Sequence, residues 1–234
     1  MPRSIPDSYR PFVARRTALP SLLALVLAIA FGGVFAAAGH AALPLDQPFG
    51  AVATNPADRL VDLPLDDMGY DRATHCVKGP TAGALALVKE LPKFSPRGQF
   101  WGIMRCEKWG KGSASLHAEG RAIDWHLDVH DRADRADAEG LIRLLLAPDA
   151  SGEPFALARR LGVQGIIWDC RSWWGGDSLG RYSACMKNGK WNKKVDDTTA
   201  HRDHVHLELN KAGAKLRTSW WTQGPGQKAA KAVR

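Results

Sequence analysis

Two short polar segments, remote from each other in the chain, set the tightest limit on how it can fold. The first is Ser115-Leu-His-Ala-Glu-Gly-Arg-Ala-Ile-Asp124 and the second is His201-Arg-Asp-His-Val-His206. Catalytic zinc commonly takes three protein ligands drawn from His, Asp, Glu or Cys and leaves a fourth position to water. His117, Asp124 and His206 can supply that set only if the two segments meet on one surface. Asp203 and His204 then stand beside the ligands, as groups able to take the proton of a metal-activated water.

Local spacing supports the meeting. His117 fits a loop entering a strand, with Asp124 seven residues on and inside that strand. Gly120 lets the loop turn tightly, because it has no Cβ penalty at positive φ. Ala122 shares a strand face with Asp124, and its small side chain keeps the floor of a site open. His204 and His206 share a face for the same reason. Asp203 points away on an ideal strand, and an irregular strand start is needed to turn it inward.

The elements around these segments predict an α+β fold with a central antiparallel sheet flanked by helices. Ala82 to Leu91 reads as a helix stopped by Pro92, and Asp134 to Leu146 as a helix with an acidic start and an end at Pro148. Phe155 to Leu161 reads as a helix closed by Gly162. Phe100 to Arg105, Ala122 to Leu127, Val163 to Trp168 and Val205 to Leu209 read as strands, the first of them buried. Residues 177–197 are rich in Gly, Lys and Asn and read as a long loop. Trp168, Trp173 and Trp174 either line a cleft or pack over a disulfide at Cys170.

The ends of the chain are read separately. Four Arg precede an unbroken apolar stretch from Leu22 to Ala38, and small residues follow to Ala42, so residues 1–42 read as a signal peptide. An uncleaved membrane anchor is the competing reading. Residues 43–70 lack periodicity and read as an extended linker, residues 71–223 as one domain, and residues 224–234 as a frayed basic tail. A cut after Ala41 removes four Arg and one Asp and lowers the formal charge from +8 to +5. That balance suits solubility or contact with anionic wall polymers, and the chain has no basic and aromatic stripe of the kind that binds nucleic acid.

An even count of Cys in an exported chain reads as disulfides, and Cys76, Cys106, Cys170 and Cys185 allow three pairings. Shorter loops close with less entropy loss, which favours Cys76–Cys106 and Cys170–Cys185. A four-cysteine zinc knuckle would need close Cys pairs, and there are none.

The string Ser115-x-His117-x-x-Gly120-x-Ala122-x-Asp124 resembles the first metal motif of the D-Ala-D-Ala metallopeptidase and lysostaphin-type superfamily, which also includes hedgehog domains. The later His-x-His resembles its second motif. The likeness covers roughly residues 100–210 and takes in VanY-like D-alanyl-D-alanine carboxypeptidases, phage L-alanyl-D-glutamate endopeptidases and the penicillin-insensitive murein endopeptidase. It implies a hedgehog-like fold and Zn2+ on His117, Asp124 and His206. Asp203 matches the acidic base of the carboxypeptidases, although the Trp those enzymes carry nearby is missing. His201-x-x-His204-x-His206 is similar instead to the triple-His pattern of the murein endopeptidase, where the extra histidines face the substrate. Either Asp203 or His204 is therefore the base, Arg105 is the candidate cation for the carbonyl oxygen, and Ser115 steadies the ligand loop or touches substrate.

The function expected on that resemblance is a secreted zinc metallopeptidase, in periplasm or cell wall. It would act as a monomer on an amide bond of peptidoglycan stem peptides or cross-links, with no stable membrane association after signal cleavage. The alternatives are a wall-associated zinc-binding module without turnover and a hydrolase of another amide or ester.

Overall fold

The computed structural model describes residues 54–175, 177–192 and 194–234. The segment expected to direct export lies outside them. A 3-10 turn, Pro56–Leu60, comes first, followed by helix α1 (Ala82–Phe94) and strands β1 (Gln99–Gly102), β2 (Lys108–Gly110) and β3 (Ser113–Ala114). A second 3-10 turn, Leu116–Glu119, leads into β4 (Ala122–His126). Then come α2 (Arg132–Leu146), α3 (Ala156–Leu161), β5 (Val163–Trp168), β6 (Arg171–Trp174), β7 (Gly180–Arg181) and a hairpin of β8 (Met186–Lys187) and β9 (Lys190–Trp191). The chain closes with β10 (His204–Leu209), α4 (Lys211–Ala214), α5 (Ser219–Thr222) and α6 (Gln227–Lys231).

Six strands form one antiparallel sheet in the order β1-β4-β10-β5-β6-β7. With helices packed against it, this is the α+β architecture expected. β10 lies between β4 and β5 and is buried along its whole length. The period of two then separates its residues by chemistry. Val205, Leu207 and Leu209 enter the apolar core with Ile123 and Trp125 of β4. Leu87 and Leu91 of α1, Leu141 and Leu145 of α2, Leu161 of α3 and Trp221 of α5 complete that core from the helical side. His204, His206 and Glu208 take the other face of β10. The core thus fixes the strand whose second face carries the polar groups.

Several boundaries differ from the sequence reading. Helix α1 continues through Pro92 to Phe94. Proline fixes φ in the helical range but removes one helical hydrogen bond, and α1 closes two residues after it. Helix α2 starts two residues early because Asp131 is its cap, accepting from the backbone N–H groups of Ala133 at 2.8 Å and Asp134 at 2.9 Å. The strand expected to be buried at Phe100 to Arg105 is the sheet edge β1, where Phe100 and Trp101 are half exposed. Within 177–197, β7 extends the sheet and β8–β9 forms a hairpin. The disulfide Cys170–Cys185 ties this excursion to the body, and Cys76–Cys106 is the other bridge.

Residues from 54 to 70, expected as linker, belong to the body. Ala57 and Leu60 are buried in the core, and Asn55 donates to the Pro148 carbonyl at 3.0 Å. The guanidinium of Arg160, itself buried, donates to the Leu63 carbonyl at 3.1 Å and to Ser219 Oγ at 3.1 Å. The basic tail is also ordered, since α6 buries Ala229 and Ala230 against the core. Trp168 and Trp173 are core residues on the helical side. No helix among the described residues is long and apolar enough to cross a membrane.

Candidate metal centre

Strand register brings the two motifs together. His206 pairs with Asp124 across β10 and β4, and His204 pairs with His126. His117 comes from the Leu116–Glu119 turn, whose cap Ser115 accepts from the His117 N–H at 3.3 Å. Gly120 ends the turn at φ 63°, and a Cβ there would lie 2.7 Å from the Gly79 carbonyl oxygen. The loop can therefore pass only with glycine at that point.

His117, Asp124 and His206 are all buried. Asp124 Oδ1 lies 3.1 Å from His117 Nε2 and 3.0 Å from His206 Nδ1, and the two nitrogens are 3.2 Å apart. Zinc bonds of about 2.0–2.1 Å in a tetrahedron put ligand atoms about 3.3 Å from one another. The three donors therefore form one face of a tetrahedron of the right size.

The far sides of both rings are also satisfied. His117 Nδ1 donates to the Ile103 carbonyl at 2.7 Å, which turns Nε2 toward Asp124. His206 Nε2 donates to Glu208 Oε1 at 3.2 Å, which turns Nδ1 toward Asp124. Carboxylates and carbonyls behind ligating histidines orient the ring and raise its basicity. Glu208 is held in turn by the Tyr70 hydroxyl, which donates to its Oε2 at 2.9 Å. Gly165 leaves the space, because a Cβ there would come within 2.7 Å of Glu208 Oε2.

Electrostatics follow from the packing. Burial alone would raise the Asp124 pKa, but hydrogen bonds from His117 and His206 hold it well below the usual carboxylate range. Burial likewise opposes charge on His206, yet Asp124 and Glu208 together raise its pKa to about 9. An incoming cation must displace that proton. Burial of the Tyr70 hydroxyl, with Glu208 beside it, raises its pKa far above the ordinary value. His201 is pushed down to about 2 by burial, with His206 and His204 adding to the effect.

The remaining motif residues surround this core. Arg105 is half exposed and donates from Nη1 to Asp124 Oδ2 at 3.0 Å, and its Nε lies 3.0 Å from Glu107 Oε1. Asp203 Oδ1 accepts from His204 Nδ1 at 2.6 Å, and Asp203 Oδ2 accepts from the Thr198 hydroxyl. His204 Nε2 lies 3.4 Å from Asp124 Oδ1 and has no hydrogen-bond partner among the described residues. Burial lowers the His204 pKa. His201 sits at φ 53° with its ring 4.7 Å from that of His204 and 5.1 Å from that of Tyr182.

Sequence reasoning missed Glu208, Tyr70 and Trp101. Glu208 was findable, since it follows His206 by two on the same strand face. Trp101 is 53 % exposed and stacks on the His126 ring at 4.3 Å, next to His204. His130 is exposed and faces Asp197 at 3.2 Å, away from the cluster.

Replacing Glu208 with Gln is expected to weaken cation binding at His117, Asp124 and His206 about tenfold, the lower end of the roughly 10–100-fold cost of losing such a partner. Calorimetric titration with zinc would measure it, and unchanged affinity would show that Glu208 only packs.

Fold and site together define an α+β domain whose sheet carries a buried His/Asp cluster able to hold a metal ion. The chain belongs to the family described as VldE, C-terminal domain, whose model matches residues 76–205, more than half of the 234 residues. The match takes in His117, Asp124, Asp203 and His204 and stops one residue before His206. Neither a curated protein nor a solved structure matches the chain.

Proposed function

We propose that this protein is an exported zinc metallopeptidase of the D-Ala-D-Ala metallopeptidase and lysostaphin-type superfamily, cutting an amide bond in peptidoglycan stem peptides or cross-links. The observation that carries the reading is the triangle of His117, Asp124 and His206 with an unpartnered, buried His204 Nε2 beside it. Two disulfides support an oxidising compartment.

Bound zinc supplies a Lewis acid that acidifies water and polarises the scissile carbonyl. His204 takes the proton of the attacking water on Nε2, because its Nδ1 already carries one toward Asp203. Asp203 thus acts through His204 and fixes its tautomer, as a buried carboxylate does for an imidazole base. Arg105 brings positive charge beside Asp124 to the edge of the site, where a carbonyl oxygen gains negative charge. The Trp101 ring lies 5.9 Å from that of His204, and the His201 ring stands between those of His204 and Tyr182, so that flat surfaces beside the base can hold a peptide or its sugar.

Digestion of purified sacculi, with fragments identified by mass spectrometry with and without chelator, tests the reading. Chelator is expected to abolish fragment release. Asp203→Asn should keep its zinc and slow release about 100-fold, within the 10²–10⁴ range of such proton transfers. Intact sacculi under every metal supplied would instead indicate a zinc-binding module without turnover.

A further inference from the structure

A second set of donors overlaps the first. Ligand atoms of His201, His204 and His206 lie within 4.8 Å of one another. His204 Nδ1 faces the Asp203 carboxylate at 2.6 Å, and His201 Nδ1 faces the Thr199 carbonyl at 3.2 Å. Both partners accept only, so each ring carries its proton on Nδ1 and keeps a lone pair on Nε2. The His204 lone pair is buried and meets no donor among the described residues. A buried polar atom left without a partner costs free energy unless something binds it. Neutral imidazole nitrogens are good ligands for zinc, copper, nickel and iron, and the two rings stand 4.7 Å apart, close enough to share one ion.

We propose that His201 and His204 hold a second, weaker divalent cation, and that this ion turns hydrolysis off by occupying the nitrogen that takes the proton from water. The proposal rests on the reading of His204 as proton acceptor at a zinc site. His206 cannot serve both positions, since Nδ1 has one lone pair and Nε2 donates to Glu208. The second ion therefore has two protein ligands against three, which makes it the weaker one. Turnover rises as the first position fills and falls when metal is in excess.

The test is a titration of the chelator-stripped full-length protein with zinc alone, repeated with cobalt(II), whose visible absorption reports on its ligands. Two classes are expected, one tight and one weak, with one ion each. His201→Asn is the variant of choice because Asn tolerates the positive φ that His201 adopts. It should take the stoichiometry from two ions per chain to one, leave the tight class unchanged, and remove the inhibition by excess zinc relative to its own maximum. A single class in the unmodified protein, or a weak class that survives His201→Asn, overturns the second site alone. Absence of the tight class as well would overturn the zinc-peptidase reading with it.

Discussion

Asp124→Asn is expected to abolish retention of zinc and every metal-dependent turnover, and also to destabilise the fold by about 3 kcal/mol, the lower end of the cost of breaking a buried ion pair. One oxygen, Oδ1, sits within 3.1 Å of both His117 Nε2 and His206 Nδ1. An amide there brings no charge, and its one acceptor oxygen cannot face both the cation and the Arg105 guanidinium, so the site loses its anionic ligand. The effect on affinity should exceed the roughly 10–100-fold that removal of an outer partner costs.

The stability cost carries a pH signature when measured in chelator. Asp124 is depressed, so its contribution is present above the unfolded carboxylate value, about 4, and is lost as pH falls. His206 is raised, so its contribution is complete below about 6.5 and is lost as pH climbs through about 9. The difference between the parent and Asp124→Asn should peak between about pH 4 and 6.5 and shrink toward pH 9. Urea unfolding across that range measures it. A flat difference would mean that Asp124 and His206 do not hold each other's charge.

The His/Asp cluster was legible because two local rules place its members. A period of two aligns His204 with His206, and a glycine turn brings His117 back over Asp124. What hides is set by distant chain. Tyr70 reaches Glu208 from a stretch whose composition reads as linker, and nothing local announces that Leu60, Leu63 and Ser219 gather around the buried Arg160. Phe100 and Trp101 read as buried by residue type, yet β1 ends the sheet, and a strand's place in its sheet is a property of the whole topology. The relation between Asp203 and His204 is a similar case. Sequence does not reveal a bond between neighbours in the chain, whereas the fold sets Asp203 Oδ1 2.6 Å from His204 Nδ1 and leaves His204 Nε2 3.4 Å from Asp124 Oδ1.

Gly83→Ala should be a strongly damaging conservative change outside the site, at about 3 kcal/mol and roughly 10 °C in Tm. Its cause is a close approach of backbones that sequence does not reveal. A Cβ at position 83 would lie 2.0 Å from the Gly213 carbonyl oxygen and 2.7 Å from Ala214 Cα, so α1 sits directly on α4. A Cβ at Gly213 would in turn lie 2.8 Å from Gly162 Cα, and Gly162 closes α3 at φ 80°. Asn210, which follows β10, joins this contact by donating its N–H to the Gly162 carbonyl at 2.9 Å and accepting from the Gly213 N–H at 2.7 Å. A methyl at 83 cannot be relieved by turning a side chain, because the atoms it meets are main chain. Helix α1 or α4 must shift, and α4 follows Asn210 at the end of the strand that carries His204 and His206. Gly140, in α2, is the control, since a Cβ there meets nothing within 4 Å. Gly140→Ala should gain about 0.5–1 kcal/mol from helix propensity. Thermal unfolding of the two variants beside the parent decides the matter: equal Tm values would show that the backbones at 83 and 213 do not meet.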